Sequence, residues 1–385
     1  MVGFWNTAKR EVMRMGSRKM YLFGMVAVPL MVFFFFTGML SEGLPLKVPV
    51  AVVDMDHSSM SRRLTRNLNA TELLDITQHL ESYDDAMASI RRGEVFGFFV
   101  IPSDFEKDAL AGKSPTLSYF DNLTYFVPGT LAFKGFKTIA VGAAQGVVSS
   151  KLQAVGVTGD AASSLTMPIT YQEHCIGNPW MNYNYYLSPS FCFGALALMI
   201  MLMSVFAMTM EIKNGTSPQW LGAARGHIGV AVAAKMLPHF IVWSVIGQFM
   251  LALFFGFHHF PCGHIGLMSI GMELYILGNM CMGYIFSSIV PNPRFALILA
   301  ALTGILSFSF LGFSFPVQNM YGAIAIFSYI MPTRYMFLIY ITNGLNDFPL
   351  YYSRIYFAAL FVYPLVMMLL MPRLKKACLK PVYVP

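Results

Sequence analysis

From Tyr21 to Leu40 the chain carries no charged residue, and Phe33-Phe34-Phe35-Phe36 sits inside that run. A helix needs about 20 mainly apolar residues to cross the hydrocarbon of a bilayer, so the run predicts a membrane span. It is longer than the apolar core of a signal peptide, and no small-x-small site precedes Ser41-Glu42, so it reads as an uncleaved span. Apolar runs resume at Leu187–Met210, Met236–Phe257, Ile265–Val290, Phe295–Phe315 and Ile355–Met371. The layout is one span, a long polar insert, then five spans. Residues 321–340 are apolar too, but Met331-Pro332-Thr333-Arg334 falls in their second half. Arginine at a bilayer centre costs about 2.5–3.5 kcal/mol, which predicts an interfacial or re-entrant segment in place of a seventh span.

Residues 41–186 follow a different rhythm. Val48-Pro49-Val50-Ala51-Val52-Val53-Asp54 is a continuous apolar run ending in acid, the pattern of a strand buried on both faces. Ser58–Leu68 has helical apolar spacing. Ser82-Tyr83-Asp84-Asp85 opens a second helix, with Ser82 at the N-cap and Asp85 at the capping-box offset, and Arg92-Gly93 closes it. Val95–Ile101 and Thr116–Phe120 predict strands on either side of a helix at Pro102–Ala111. From Thr124 to about Val155 a long helix is expected, its Gly142, Ala143, Ala144 and Gly146 suited to close packing. Trp180, Tyr183, Tyr185 and Tyr186 form an interfacial aromatic belt before the second span.

The expected fold is therefore a polytopic α-helical membrane protein with six transmembrane helices and an α/β domain inserted after the first. Residues 1–20 are an amphipathic basic segment, 21–40 the first span and 41–186 the insert. The five-helix region covers 187–371, with a loop at 211–229, and 372–385 is a tail.

Composition removes the soluble alternatives. AVILMFWYC make up 56% of the chain and charged residues only 12%, about half the roughly 25% of ordinary soluble domains. The same figures exclude collagen-like, disordered and disulfide-scaffold classes. The net charge of +7 comes from clusters on one side of the predicted spans. These are Lys9, Arg10, Arg14, Arg18 and Lys19, then Lys213 and Arg225, then Arg294, and finally Arg373, Lys375, Lys376 and Lys380. The opposite loop Gly256–His264 has no Lys or Arg. The positive-inside rule places both termini in the cytoplasm and the insert outside, so the basic balance orients the chain and does not mark a nucleic-acid partner.

Candidate chemistry is sparse. Gly112-Lys113-Ser114 ends like a phosphate-binding loop, but Lys107 stands where the earlier glycine is required. No Ser-His-Asp, paired-carboxylate or deaminase arrangement appears. His258, His259, Cys262 and His264 offer four metal ligands in one short loop, to be weighed against an interfacial loop with solvated histidines. Of the five cysteines, Cys175 and Cys262 fall on the same outer side, and a bridge between them stays open. Glu273 is an acid within a span, so Glu273 and Asn279 are candidates for a substrate path, against a structural or interfacial duty. The 29 methionines are adaptable packing residues that would also suit an apolar path.

The loop Glu211-Ile212-Lys213-Asn214-Gly215-Thr216-Ser217-Pro218-Gln219-Trp220-Leu221 is the most specific short feature. Gly215 ends one helix, Thr216 or Ser217 caps the next, and Pro218 fits its first turn. Trp220 and Leu221 are then apolar residues of a short helix, either at the membrane interface or as a docking knob for a soluble partner.

With these pieces the chain resembles, over essentially its whole length, the permease subunit of type-2 ABC exporters, in the multidrug- and efflux-like branch with a large extracytoplasmic domain. The resemblance rests on the basic N-terminus, Val50-Ala51-Val52-Val53-Asp54, Asp84-Asp85-Ala86 and Gly93 to Ile101-Pro102-Ser103-Asp104-Phe105. It continues through Asn178-Pro179, Glu211-x-Lys213-x-Gly215-Thr216, Lys235-Met236-Leu237-Pro238 and Tyr329-Ile330-Met331-Pro332-Thr333-Arg334-Tyr335. It implies that Glu211, Lys213, Gly215, Thr216, Trp220 and Leu221 form a coupling loop against an ABC ATPase. Arg10, Arg14 and Arg18 would lie on an elbow helix along the inner face. The family often has arginine before the loop acid, where this chain has Met210.

The resemblance further implies that ATP and Mg belong to the partner ATPase, with no cofactor in this chain. A second permease copy, identical or not, would complete the path, and a periplasmic adaptor would suit the outer domain. The location implied is a bacterial inner membrane. Set against this exporter are a membrane-anchored binding protein without ATPase, an ion-coupled transporter using Glu273 and a metal-dependent membrane enzyme.

Overall fold

A computed structural model describes residues 2–157, 159–167, 174, 176–313 and 315–381 and divides the chain into two units, Met1–Gly43 with Cys175–Pro385 and Leu44–His174. The first unit begins with the amphipathic α1 (Val2–Ser17) and the apolar α2 (Lys19–Met39).

The second unit runs β1 (Val48–Asp54), α3 (Ser59–Asn69), β2 (Leu74–Leu80), α4 (Tyr83–Arg92), β3 (Gly97–Ile101), α5 (Phe105–Ala111), β4 (Ser118–Asp121), α6 (Phe126–Ala154) and α7 (Asp160–Thr166). The sheet order is β2-β1-β3-β4, with β1 parallel to both neighbours and β4 antiparallel to β3. Val50, Ala51, Val52 and Val53 are all buried, as a central strand requires. Alternate β1 side chains serve opposite faces: Val50 and Val52 pack with Leu64, Leu68 and Phe136, and Ala51 and Val53 with Ala86 and Phe98.

The predicted α4 cap forms, since Ser82 Oγ accepts the N–H of Asp85 at 3.2 Å. Gly112 is the C-cap of α5 and Lys113 pairs with Asp108 at 3.1 Å, so this segment is a helix end. Two expectations change. Strand β2 is an edge strand of sequence LDITQHL, whose polar side chains hide it from an apolar-run reading. In α6 the early Gly129, Ala132 and Gly135 are buried, whereas Gly142 and Gly146 have open space around them.

Returning to the first unit, α8 (Tyr183–Lys213), α9 (Ser217–Ala223), α10 (Ile228–Phe257), α11 (Ile265–Ile289), α12 (Pro293–Phe310), α13 (Gly322–Ile330), α14 (Pro332–Leu345) and α15 (Leu350–Leu379) follow. Among the described residues, six helices (α2, α8, α10, α11, α12 and α15) are long and apolar enough to cross a membrane. Helix α8 is central, packing on α2, α11, α12 and α14. Its crossing with α11 is close: a Cβ on Gly283 would lie 2.9 Å from Met201 O, so glycine lets the two backbones approach.

Helices α13 and α14 meet at 78° around Pro332, which breaks the α-helical ladder. Arg334 at this bend is buried, donating to Ser328 Oγ at 3.1 Å and lying 4.9 Å from the Tyr329 ring. Residues 321–340 are thus not a straight span, and the arginine that argued against one has polar and aromatic neighbours of its own.

Candidate functional site

Where α8 ends, the carboxylate of Glu211 has no exposed surface. Arg10 holds it in a two-pronged grip, Nη1 to Oε1 at 2.9 Å and Nη2 to Oε2 at 3.0 Å. Arg14 and the Thr216 hydroxyl also donate to it, and Lys235 Nζ reaches Oε1 at 3.1 Å. The acid at 211 therefore finds its ion pairs although methionine, not arginine, precedes it. The cations come from α1 and α10, far away in sequence.

Lys235 extends the cluster. Its ammonium donates to Glu11 Oε2 at 2.5 Å, and His239 Nε2 lies 2.9 Å from Glu11 Oε1. A carboxylate can only accept, so the imidazole hydrogen sits on Nε2. Lys235 and His239 are one helical turn apart on α10, which aims both at the same face of α1. Burial by itself would raise the pKa of Glu11, but Lys235 and His239 outweigh it and hold the carboxyl at about 2. Three cations thus meet two carboxylates; Glu11, Glu211 and Lys235 are buried, and Arg10 reaches in from the partly exposed side. Such pairs are stable only while complete, because removing one partner strands a buried charge.

Loop geometry explains the Glu-x-Lys-x-Gly-Thr spacing. Gly215 adopts φ +65°, and its N–H reaches back to Ile212 O at 3.1 Å while Thr216 N donates to Glu211 O at 3.0 Å. Glycine reverses the chain here without Cβ strain. The Thr216 hydroxyl does not cap α9 but turns back to the Glu211 carboxylate. Lys213 is exposed.

Helix α9 then lies on the cluster, and Trp220 and Leu221 point inward. Both are buried, and the Trp220 ring centre is 5.9 Å from Lys235 Nζ. Ser217 Oγ donates to Cys378 O of α15 at 2.9 Å, and Gly3 of α1 faces Ala223 O. Trp220 and Leu221, open above between an interfacial turn and a docking knob, are thus the helix's root; Pro218, Gln219 and Gly222 face outward, and Arg225 is exposed just beyond the helix end. A seven-residue helix sitting between three longer ones has its apolar side taken by them.

The other candidates part company. Glu273 accepts from Ser244 Oγ at 2.5 Å and Gln248 Nε2 at 2.7 Å, a polar clamp between α10 and α11. Asn279 is fully buried and donates to Tyr275 O of its own helix at 2.8 Å. The His258–His264 loop does not gather its ligands, for no group of three or more His, Cys, Asp or Glu among the described residues stands as a metal site. His258 packs on Phe33 and Phe260, while His264 lies 3.5 Å from Asp347. The backbone N–H groups of Gly263 and His264 bind Gly344 O and Asn343 O, which fixes the loop on α14. Cys175, the other half of the bridge to Cys262 left open above, lies outside the described residues. Arg18 joins α1 to α2 in an extended conformation and makes no hydrogen bond or ion pair with the cluster among the described residues.

The sequence patterns above do not single out Glu11 or His239 and include Lys235 only within a motif. The signal was present: Glu11 is the one acid of α1, and Lys235 and His239 are ionisable residues at i, i+4 in an apolar helix.

With this geometry in place, comparison with protein families finds that the model of ABC-2 family transporter proteins matches residues 19–371. The curated proteins contain no match.

Proposed function

Because the chain belongs to the ABC-2 family of transporter proteins, we propose that it exports an amphipathic or apolar substrate from the cytoplasm or the inner leaflet. A permease of this family works with an ABC ATPase, generally as a dimer. ATP and Mg are then the ATPase's, and this chain supplies the path and the joint that moves it. The basic clusters orient it with both termini and the 211–229 loop in the cytoplasm and Leu44–His174 outside, in a bacterial inner membrane.

The observation that carries this reading is the charge cluster on which α9 sits, with Glu11, Glu211 and Lys235 buried in it. A push on Pro218, Gln219, Gly222 or Arg225 is passed by Trp220 to Lys235 on α10 and by Thr216 to Glu211 on α8. Arg10 and Arg14 take α1 along. Since opening the cluster would leave buried charge unpaired, these elements move as one body. ATP-driven closure of the ATPase thereby becomes a displacement of two spans and an interfacial helix, which shifts the exposure of a central path.

The test is affinity purification of the tagged chain from host membranes, wild type beside Gln219→Glu/Arg225→Glu. Recovery of an ABC ATPase with wild type, and its loss from an equally heat-stable variant, supports the reading. If neither preparation brings an ATPase, the coupling proposal fails and an anchored binding protein takes its place.

A further inference from the structure

The two edges of the four-stranded sheet are finished differently. On the β2 edge, Asn69 Oδ1 accepts the backbone N–H of Ile76 at 2.8 Å, so a side chain occupies a main-chain donor there. Among the described residues strand β4 has no such cover. Asn122 donates its backbone N–H to Phe96 O at 2.8 Å, and Phe120 lies opposite Phe98. Main-chain groups alternate along an antiparallel ladder, so Ser118, Phe120 and Asn122 bond inward to β3. Those of Tyr119 and Asp121 point away from the sheet and have no hydrogen-bond partner among the described residues.

A cleft of about 800 Å³ runs along this edge between β4 and α4, within the roughly 300–1,000 Å³ usual for binding clefts. Pleating sends Phe120 to the α4 side, where it stacks on Phe98 at 4.9 Å and meets Tyr83 at 5.1 Å. Tyr119 goes to the other side and stacks on Phe136 at 5.0 Å, and Asp121 shares that side by the same alternation. The cleft wall is thus Tyr83, Met87, Phe120 and Tyr125. Tyr83 and Tyr125 are 41% and 56% exposed. One cation faces the cleft uncommitted. Arg92 is held by Glu94 at 2.7 and 2.9 Å, whereas Arg91 makes no hydrogen bond or ion pair among the described residues.

We propose that the β4 edge is a docking strand for an extended segment of another polypeptide. The segment adds to the sheet through Tyr119 and Asp121, seats an apolar side chain on Phe120 and Tyr83, and places a carboxylate on Arg91. Charge selects this occupant. A second copy pairing through its own β4 would keep its Asp121 on the α6 side of the joined sheet, away from Arg91. The surface operates without ATP, so it stands whether or not the export reading does.

The experiment selects seven-residue peptides from a random library on the full chain in lipid nanodiscs, with empty nanodiscs subtracted. Synthetic copies are then measured by fluorescence anisotropy. Selected peptides are expected to alternate apolar residues and to contain an acid. Their affinity falls about tenfold in Arg91→Glu, the effect of one charge-assisted hydrogen bond. Asp121→Pro, which removes an outward N–H and leaves the β3 ladder whole, abolishes binding, while Asp121→Asn retains it. On peptide binding, amide exchange at Tyr119 and Asp121 slows. Thermal melting confirms that each variant is folded. The proposal is overturned if no peptide is enriched, if binding ignores Asp121→Pro, or if Phe120→Cys in a cysteine-free chain links two copies through β4.

Discussion

The carboxylate of Glu211 and the ammonium of Lys235 meet at 3.1 Å between α8 and α10, and neither side chain has exposed surface. Each is also the other's route to a second partner, Glu211 to Arg10 and Arg14 and Lys235 to Glu11. Glu211→Gln leaves three cations facing one carboxylate and is expected to destabilise the chain by about 3–5 kcal/mol. Thermal unfolding in nanodiscs reads this directly. A Lys235→Met/Glu11→Leu pair, which removes opposite charges together, should cost much less than Lys235→Met alone.

Acid should spare the cluster to an unusually low pH. The folded-state pKa of Glu11 is about 2 against an ordinary value of 4.5. A depressed carboxyl contributes stability that is complete above the ordinary value and is lost as pH falls toward the folded one. The difference in melting temperature between wild type and Glu11→Gln should therefore be constant from pH 7 to 5. It should shrink only between 4.5 and 2.

Trp220→Ala and Gln219→Glu separate the root of α9 from its outer face. The first opens a cavity beside Lys235 and is expected to cost about 3–5 kcal/mol. The second should leave the melting temperature unchanged while weakening recovery of the ATPase. Equal thermal losses in both would place Gln219 inside the packing and refute the assignment of faces.

Gly215→Ala isolates the backbone term. Nothing lies within 4 Å of a Cβ at this position, but φ is +65°. The substitution should cost about 1 kcal/mol with no steric clash. Gly215→Asn, which tolerates the left-handed region, should recover part of it.

Cys262 offers a chemical readout of the loop. Burial pushes its thiol from 9.0 up to about 11, with Asp347 adding to the rise and the His264 N–H opposing it. With Cys175 changed to serine, maleimide labelling of Cys262 at pH 8 should run about 100-fold slower than that of an ordinary thiol. Half-maximal rate is expected near pH 11.

The spans were legible because each is a long apolar run, and the core strand β1 because all of its central residues are apolar. Strand β2 escaped notice since an edge strand needs only one apolar face and this one is broken by Asp75, Gln78 and His79. The candidate site divides in the same way. Local chemistry announced the Gly215 turn and Glu211, but its arginine partners are 201 and 197 residues away, and no spacing rule connects them. Trp220 and Leu221 were correctly placed on a short helix; only the packing of α1, α10 and α15 decides that they turn inward.

That long separation has a consequence for how the chain is made. Helix α1 emerges from the ribosome before α8 and α10, with Arg10, Glu11 and Arg14 all lacking their partners until those helices have been synthesised. Until then its charges remain solvated at the membrane surface, and two apolar spans and an entire α/β unit are completed while it waits. Docking of α1 is therefore a late step of biogenesis, and it reports that spans far apart in the message have reached their places.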